Sequence, residues 1–216
     1  MKLIIGNKNY SSWSLRPWFL MAAHDLPFEE VRIPLDQPDT AARIAEHNKA
    51  GKVPVLKDGD VTVWDSLAIC EYISEQYLDG RGWPADIAAR AEARACSAEM
   101  HSGLQAIRGQ MPMNCRANGR KVPMTPELEK EIARVDSLWS VCRAKYAALG
   151  PWMFGEFSIA DCMFAPVASR FATYGVALSE SAAKYQQQVL NHDKMKLWIA
   201  HGQAETEVVE ADEAGQ

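Results

Sequence analysis

The strand-like patterns of this chain are confined to its first third, and this confinement constrains the fold more than any other feature. Leu3 to Ile5 form a short apolar run that ends at Gly6, which predicts a buried strand. Residues 28–35 alternate apolar and polar side chains, which predicts a half-buried strand. Residues 51–56 and 61–64 flank Asp58-Gly59, a dipeptide typical of tight hairpin turns. We therefore expect four strands.

Predicted helices separate these strands. Ser11 or Ser12 can cap a first helix that ends near residues 24–25. Residues 40–47 form a second helix, and a third runs over residues 67–77. The resulting order βαβαββα is that of a thioredoxin-like fold, in which the first two strands are parallel and the hairpin completes the sheet.

The rest of the chain carries helical patterns without strands. Helical stretches are predicted over residues 87–110, 126–149, 159–175 and 182–199. The expected fold class is therefore α/β plus all-α: a thioredoxin-like domain over residues 1–80, a linker over 81–86, and an all-helical domain over 87–204. Residues 205–216 are acidic with few apolar anchors, so we expect a mobile or lightly docked tail.

Composition excludes several classes of protein. No apolar run approaches the roughly 18 residues of a membrane span, and the net charge of −5 includes no cluster of basic residues that could bind nucleic acid. The five cysteines are odd in number and widely spaced, which favours reduced thiols over a disulfide framework. The sequence contains no cluster of Cys and His residues, so it predicts no metal site. We expect a cytoplasmic protein with neither a membrane nor a nucleic-acid partner.

Two segments of the first domain have the chemistry of a peptide-binding site. Pro54 cannot donate a hydrogen bond, so on an edge strand the main chain of Val53 would be free to pair with a peptide. A cis Pro54 would fix that geometry. Asp65 and Ser66 stand at a predicted helix start, where free amides and a hydroxyl can receive a carboxylate. Simple helix capping is the alternative role of this pair.

Three blocks together resemble the glutathione transferase superfamily. They are residues 48–56 (Asn-Lys-Ala-Gly-Lys-Val-Pro-Val-Leu), residues 64–69 (Trp-Asp-Ser-Leu-Ala-Ile) and residues 157–161 (Phe-Ser-Ile-Ala-Asp). The resemblance spans nearly the whole chain and implies the fold derived above, glutathione as co-substrate, and a homodimer. Ser158 and Asp161 fit a capping box and are interpreted as folding residues.

The resemblance also implies roles for individual residues. Val53, beside Pro54, would hydrogen-bond the cysteinyl main chain of glutathione. Ser66, with Asp65 and Lys52, would receive its γ-glutamyl end. Many family members carry Gln or Glu where this chain has Asp65, whose shorter side chain reaches less far toward the glutathione ammonium.

A glutathione transferase must lower the pKa of the glutathione thiol from about 8.5, the value of a free cysteine. One hydrogen bond to the thiolate would lower that pKa by about one to two units. The loop over residues 9–16 offers hydroxyls at a helix start, and we rank the candidate donors as Ser11, then Ser12, then Tyr10. Alignment with zeta-like members, whose loop reads Ser-Ser-Cys-x-Trp-Arg, leaves the donor open.

The second substrate is expected against the helical domain, with Tyr10, Trp13, Arg108 and Met111 as candidate contacts. Arg16 is expected in a structural ion pair. The leading functional hypothesis is conjugation of the glutathione thiolate to a small, hydrophobic electrophile, which implies detoxification. The alternatives are glutathione-dependent cis-trans isomerisation, like that of maleylacetoacetate isomerase, and a non-catalytic binding module.

Overall fold

The computed structural model describes residues 1–215, and it begins with a four-stranded mixed sheet. The strands are β1 (Lys2–Ile5), β2 (Glu29–Arg32), β3 (Val55–Asp58) and β4 (Val61–Trp64). Their order is β2-β1-β3-β4, with β1 and β2 parallel and the β3–β4 hairpin antiparallel. β1 pairs with β3 in antiparallel register, Leu3 opposite Leu56. The predicted topology is confirmed.

Three helices complete this part of the molecule: α1 (Ser12–Ala23), α2 (Thr40–Ala45) and α3 (Ser66–Tyr77). The order βαβαββα is therefore the one predicted. Strand β2 is shorter than expected from residues 28–35, because it pairs only with the four residues of β1. Pro34, which has no amide hydrogen to donate, lies beyond the end of β2.

Six helices follow: α4 (Ile87–Ser102), α5 (Gln105–Gln110), α6 (Pro126–Tyr146), α7 (Ile159–Thr173), α8 (Glu180–Leu190) and α9 (Asp193–Ala204). Two predicted helices are each divided. Leu104, with a left-handed φ of 55°, separates α4 from α5, and His192 caps α9 just after α8 ends. Within residues 1–215 no helix has the length and apolarity to cross a membrane.

Helix α7 lies at the centre of the core. Its predicted capping box is present: Asp161 Oδ2 accepts from the Ser158 amide at 2.8 Å. The other carboxylate oxygen of Asp161, Oδ1, accepts from the Met153 amide and from the Tyr185 hydroxyl. Nearly every residue of α7 is buried. Helix α1, also buried over most of its surface, packs against α7 and joins the sheet to the helical bundle.

The C-terminal segment differs from the expected mobile or lightly docked tail. Glu205 accepts hydrogen bonds from the main-chain amides of Lys8 and Asn9, at 2.9 and 3.0 Å. Further along, Glu213 accepts from the Tyr10 hydroxyl at 2.6 Å. The acidic residues anchor this segment because they satisfy donors of the first loop. Gln216, the last residue of the predicted tail, lies outside the described residues.

Candidate active site

A cleft of about 760 Å³ lies between the sheet and the helices, and most of the predicted site residues line it. They are Tyr10, Ser11, Ser12, Trp13, Lys52, Val53, Pro54, Asp65, Ser66 and Arg108. Met111 does not line the cleft: only 1% of its surface is exposed, since it follows the short helix α5 into the core. The prediction of Met111 as a substrate contact is therefore wrong.

The main chain of Val53 borders the cleft, although not on an edge strand as expected. Strand β3 begins at Val55 and lies inside the sheet between β1 and β4. Pairing between β1 and β3 ends at Ile4 opposite Val55, so Val53 extends beyond its neighbouring strand. Within residues 1–215 the amide and carbonyl of Val53 make no hydrogen bond. The Val53-Pro54 peptide bond is cis.

Asp65 and Ser66 form the start of α3 at the cleft wall. Asp65 Oδ1 caps the helix by accepting from the amides of Leu67 and Ala68 at 2.9 and 3.2 Å. Its other oxygen lies 3.1 Å from Nε2 of His101. Asp65 has a φ of 75°, a strained conformation for a residue with a side chain. The capping role and a position at the cleft therefore coexist in Asp65.

Ser66 is fully buried beneath the cleft surface, and its hydroxyl oxygen accepts a hydrogen bond from Nη1 of Arg16 at 3.1 Å. Arg16 is 1% exposed and forms no ion pair with a carboxylate within residues 1–215, contrary to the expected structural ion pair. Burial and the charges of Arg108 and Arg170 lower the pKa of Arg16 to about 9. The guanidinium thus adds positive charge behind the start of α3.

The two serines of the first loop differ in what their hydroxyls do. Ser11 donates to the Ser14 hydroxyl oxygen at 2.8 Å, and Ser14 in turn accepts from the Gly6 amide. Ser12 accepts from Nη2 of Arg170 at 3.0 Å. Ser11 therefore already donates its hydrogen within the protein, whereas the Ser12 hydroxyl donates to no group among residues 1–215 and can donate to an acceptor in the cleft.

Tyr10 lines the cleft, but its hydroxyl is held by the C-terminal segment. The hydroxyl donates to Glu213 and accepts from the Arg116 guanidinium. Burial, followed by the Glu213 hydrogen bond, raises the pKa of Tyr10. The geometry therefore gives Tyr10 a structural role in anchoring this segment.

Trp13 is held between cationic and aromatic groups. The guanidinium carbons of Arg16 and Arg108 lie 4.2 and 4.7 Å from its ring centroids, and the His101 ring meets it edge-on at 5.1 Å. Such contacts fix the orientation of the indole. Burial, despite the neighbouring Asp65, lowers the pKa of His101.

Arg170 is a cleft residue that sequence reasoning missed. It is 6% exposed, and its Nε and Nη1 atoms have no hydrogen-bond partner within residues 1–215. Burial and the Arg108 charge lower its pKa to about 10. One signal was present: Arg170 is the single charged residue in the apolar run over residues 162–173. Asp212, also missed, lines the same cleft, and burial raises its pKa.

The N-terminal part of the chain matches a known family of proteins. The family model described as "Glutathione S-transferase, N-terminal domain" matches residues 10–76. A glutathione S-transferase-like protein, tpcF of Aspergillus fumigatus, is 33% identical over 160 residues, which are 68% of this chain and 69% of that protein.

Other relatives match over shorter parts of their length. A dichloromethane dehalogenase of Methylorubrum extorquens is 43% identical over 60 residues, which are 27% of this chain and 20% of that protein. A probable maleylacetoacetate isomerase of Caenorhabditis elegans is 36% identical over 98 residues, 45% of each chain. The chain therefore spans less than half the length of these two relatives.

Solved structures with low identity share the fold. A glutathione transferase homologue from Burkholderia with bound glutathione superposes with a TM-score of 0.68 at 22% identity, covering 93% of this chain and 96% of that one. Within residues 1–215 of the present protein, no group of three or more His, Cys, Asp or Glu side chains could hold a metal ion.

Proposed function

Because the chain belongs to the glutathione S-transferase superfamily, we propose that it conjugates the glutathione thiolate to a small electrophile. The observation that carries this proposal is the polar arrangement along one cleft. The unpaired main chain of Val53 lies on one wall, Ser66 stands at the start of α3, and Ser12 presents an uncommitted hydroxyl.

In this mechanism glutathione lies with its cysteinyl main chain along Val53 and its γ-glutamyl end at Ser66, Asp65 and Lys52. The Ser12 hydroxyl donates a hydrogen bond to the sulfur, keeps its own proton, and so favours the thiolate. Arg170 strengthens that donation, since it binds the Ser12 oxygen and places a positive charge nearby. This reverses the ranking drawn from the sequence, in which Ser11 stood first.

The chemical step is nucleophilic substitution or addition at carbon. With a chloroaromatic substrate, the thiolate sulfur forms the new carbon–sulfur bond, the carbon–chlorine bond breaks, and chloride leaves with the bonding electrons. The thiol proton passes to solvent, and no atom needs an external oxidant or reductant. Orientation of both reactants in one cleft supplies much of the acceleration.

Two experiments test this function in sequence. The protein should be retained by glutathione-agarose and eluted by free glutathione, and it should conjugate 1-chloro-2,4-dinitrobenzene faster than the uncatalysed reaction. Failure of the resin to retain the protein counts against the glutathione site itself. Retention without conjugation rejects the transferase and leaves a binding module.

Isomerisation is the second candidate, supported by the local similarity to a probable maleylacetoacetate isomerase. An isomerase would consume no glutathione and would release a geometric isomer of its substrate. Measuring whether free thiol is lost during turnover of an α,β-unsaturated acid separates it from conjugation.

The wider proposal concerns location and assembly. We infer a cytoplasmic homodimer with a glutathione-binding domain over residues 1–80 and a substrate domain over residues 87–204, acting in detoxification. Size-exclusion chromatography with light scattering tests the assembly, for which a mass of twice 24.0 kDa is expected.

A further inference from the structure

In the described part of the chain, three guanidinium groups lie beside the cleft without an ion pair to a carboxylate. The charges of Arg108 and Arg170 lower the pKa of Arg16, and the charge of Arg108 lowers the pKa of Arg170. Within residues 1–215 none of the three forms an ion pair. Like charges brought out of water repel one another and lose hydration. Such an arrangement is stabilised when a negatively charged group enters the cleft.

Glutathione does not account for all of this charge. By the proposed binding mode, its γ-glutamyl end lies at the start of α3, the region where Arg16 holds Ser66. Arg108 and Arg170 come instead from α5 and α7, the helical wall beyond Ser12 and Trp13. Their cationic groups therefore face the space where the second substrate must lie.

Arg170 has the features of a built anion site. It is almost completely buried, it lines the cleft, and two of its nitrogen atoms lack any partner within residues 1–215. An unpaired buried donor costs free energy that a ligand carboxylate can recover. Arg108, half-buried on the same cleft, uses Nη1 to donate to the carbonyls of His101 and Gly103 at 3.4 and 3.3 Å.

One carboxylate on this side of the cleft opposes the site. Asp212 lines the cleft near Arg170, without forming an ion pair with it, and its half-buried position disfavours its charged form. Asp65, the other carboxylate of the cleft, lies against His101 and caps α3. Two guanidinium groups at the substrate end of the cleft therefore share it with one half-buried carboxylate, Asp212. Glu131, on α6, raises the pKa of Arg108 by its charge but does not line the cleft.

We propose that Arg108 and Arg170 form an anion subsite for the second substrate, which is an electrophile bearing a carboxylate close to its reactive carbon. This inference rests on the proposed transferase function and replaces the hydrophobic electrophile expected from the sequence. The carboxylate binds the two guanidinium groups while the reactive carbon faces the glutathione sulfur at Ser12.

The test uses a matched pair of substrates, 4-chloro-3-nitrobenzoate and 4-chloro-3-nitrobenzamide. They differ in charge and are alike in size and leaving group. Each kcat/KM is divided by the uncatalysed rate with glutathione, which removes the difference in intrinsic reactivity. The wild-type protein should prefer the acid by at least about tenfold, as expected for one charge-assisted hydrogen bond.

The variants Arg170→Gln and Arg108→Gln should each reduce this acid preference several-fold, and Arg170→Lys should retain part of it. Arg81→Gln is the matched control, since the Arg81 side chain is 77% exposed and outside the cleft. The acid/amide ratio is the readout because Arg170 also binds the Ser12 oxygen. Loss of the Arg170 guanidinium should therefore slow conjugation of both substrates. If Arg170→Gln does not fold, the acid/amide ratios of Arg108→Gln and of the wild-type protein still test the subsite.

A binding measurement separates this inference from the transferase proposal. The two S-aryl glutathione conjugates of these substrates are prepared chemically, and their Kd values are measured by tryptophan fluorescence. Tighter binding of the acid conjugate supports the subsite even if conjugation is absent. Equal Kd values, or equal slowing of both substrates in Arg170→Gln, overturn the subsite alone and leave Arg170 as a partner of the thiolate. If neither conjugate binds, both proposals are rejected.

Discussion

At the residue scale, the sharpest distinction is between two adjacent serines. Ser11 donates its proton to Ser14, while Ser12 accepts from Arg170 and retains a proton for the cleft. An oxygen that accepts from a cation becomes a better donor through its own hydrogen. Ser12 is therefore the proposed donor to the glutathione sulfur.

Replacing Ser12 by Ala should lower kcat/KM for 1-chloro-2,4-dinitrobenzene by about 10- to 100-fold, the value of one hydrogen bond to a charged group. The pKa of bound glutathione, read from thiolate absorbance against pH, should rise by about one to two units. Ser11→Ala is the matched comparison and should cost less than about threefold in kcat/KM, because its hydrogen bond is structural. A larger loss in Ser11→Ala than in Ser12→Ala would reverse the assignment.

Some residues proposed to bind glutathione could be placed from the sequence, and the roles of some other residues could not. The positions of Val53 and Ser66 at a common cleft follow from local signals, namely a proline before a strand and a serine at a helix start. The role of Arg16 was misjudged because its sequence neighbours do not reveal that Ser66, 50 residues away, is its partner. Met111 was misjudged because helical spacing alone does not distinguish a cleft wall from the core.

At the scale of elements, the C-terminal segment is the main departure from expectation. Its acidic composition suggested weak docking, but Glu205 satisfies two main-chain amides of the first loop. A carboxylate that accepts from two main-chain amides makes charge-assisted hydrogen bonds, which are stronger than neutral ones and hold the segment against the first loop. The segment then forms part of the cleft through Asp212.

Glu205→Ala should destabilise the protein by about 2–4 kcal/mol, since it leaves two buried amides without an acceptor. Urea unfolding followed by tryptophan fluorescence measures this change. Glu210→Ala is the control, because Glu210 is exposed in the same segment, and its effect should stay within about 0.5 kcal/mol. Equal effects of the two substitutions would contradict the docking and support the mobile or lightly docked tail expected from the sequence.

The docking of the same segment should depend on pH through Glu213. Burial raises the pKa of this carboxyl, but hydrogen bonds from Tyr10, Asn114 and Arg120 outweigh it and leave the pKa below the ordinary 4.5. A carboxyl with a depressed folded-state pKa contributes stability above its unfolded value, and this contribution disappears as the pH falls through the folded value.

The difference in unfolding free energy between wild type and Glu213→Gln should therefore be constant at neutral pH and shrink below about pH 4.5. Urea unfolding at a series of pH values measures it, and hydrogen exchange of residues 205–215 should increase over the same acid range. A difference that grows on acidification contradicts the assigned sign.

At the scale of the whole molecule, the sheet and the helical bundle share one core. Trp18 of α1 packs against Trp198 of α9 with ring centroids 5.1 Å apart. Leu15, Phe19 and Leu20 of α1 are fully buried in the cluster that also includes α7. The N-terminal part therefore depends on the helices for the burial of one face of α1.

A fragment of residues 1–84 should consequently lack a cooperative thermal transition and should bind the hydrophobic dye ANS. Circular dichroism and dye fluorescence check this, with the full chain as the control. A fragment that unfolds cooperatively with a Tm close to that of the full chain would show that the first domain is independent of the helices.

The sequence by itself determined the order of the strands and of the first three helices, the hairpin, the capping box of α7 and the positions of the segments proposed to bind glutathione. These depend on interactions between residues close in the chain, such as alternation, turn chemistry and helix capping. Only the tertiary structure distinguished Ser12 from Ser11, because the deciding partner, Arg170, lies 158 residues away. It also revealed the guanidinium groups of the cleft and the docked C-terminal segment. These hydrogen bonds and charges act between residues that are distant in the chain, so a local sequence pattern does not identify the partners.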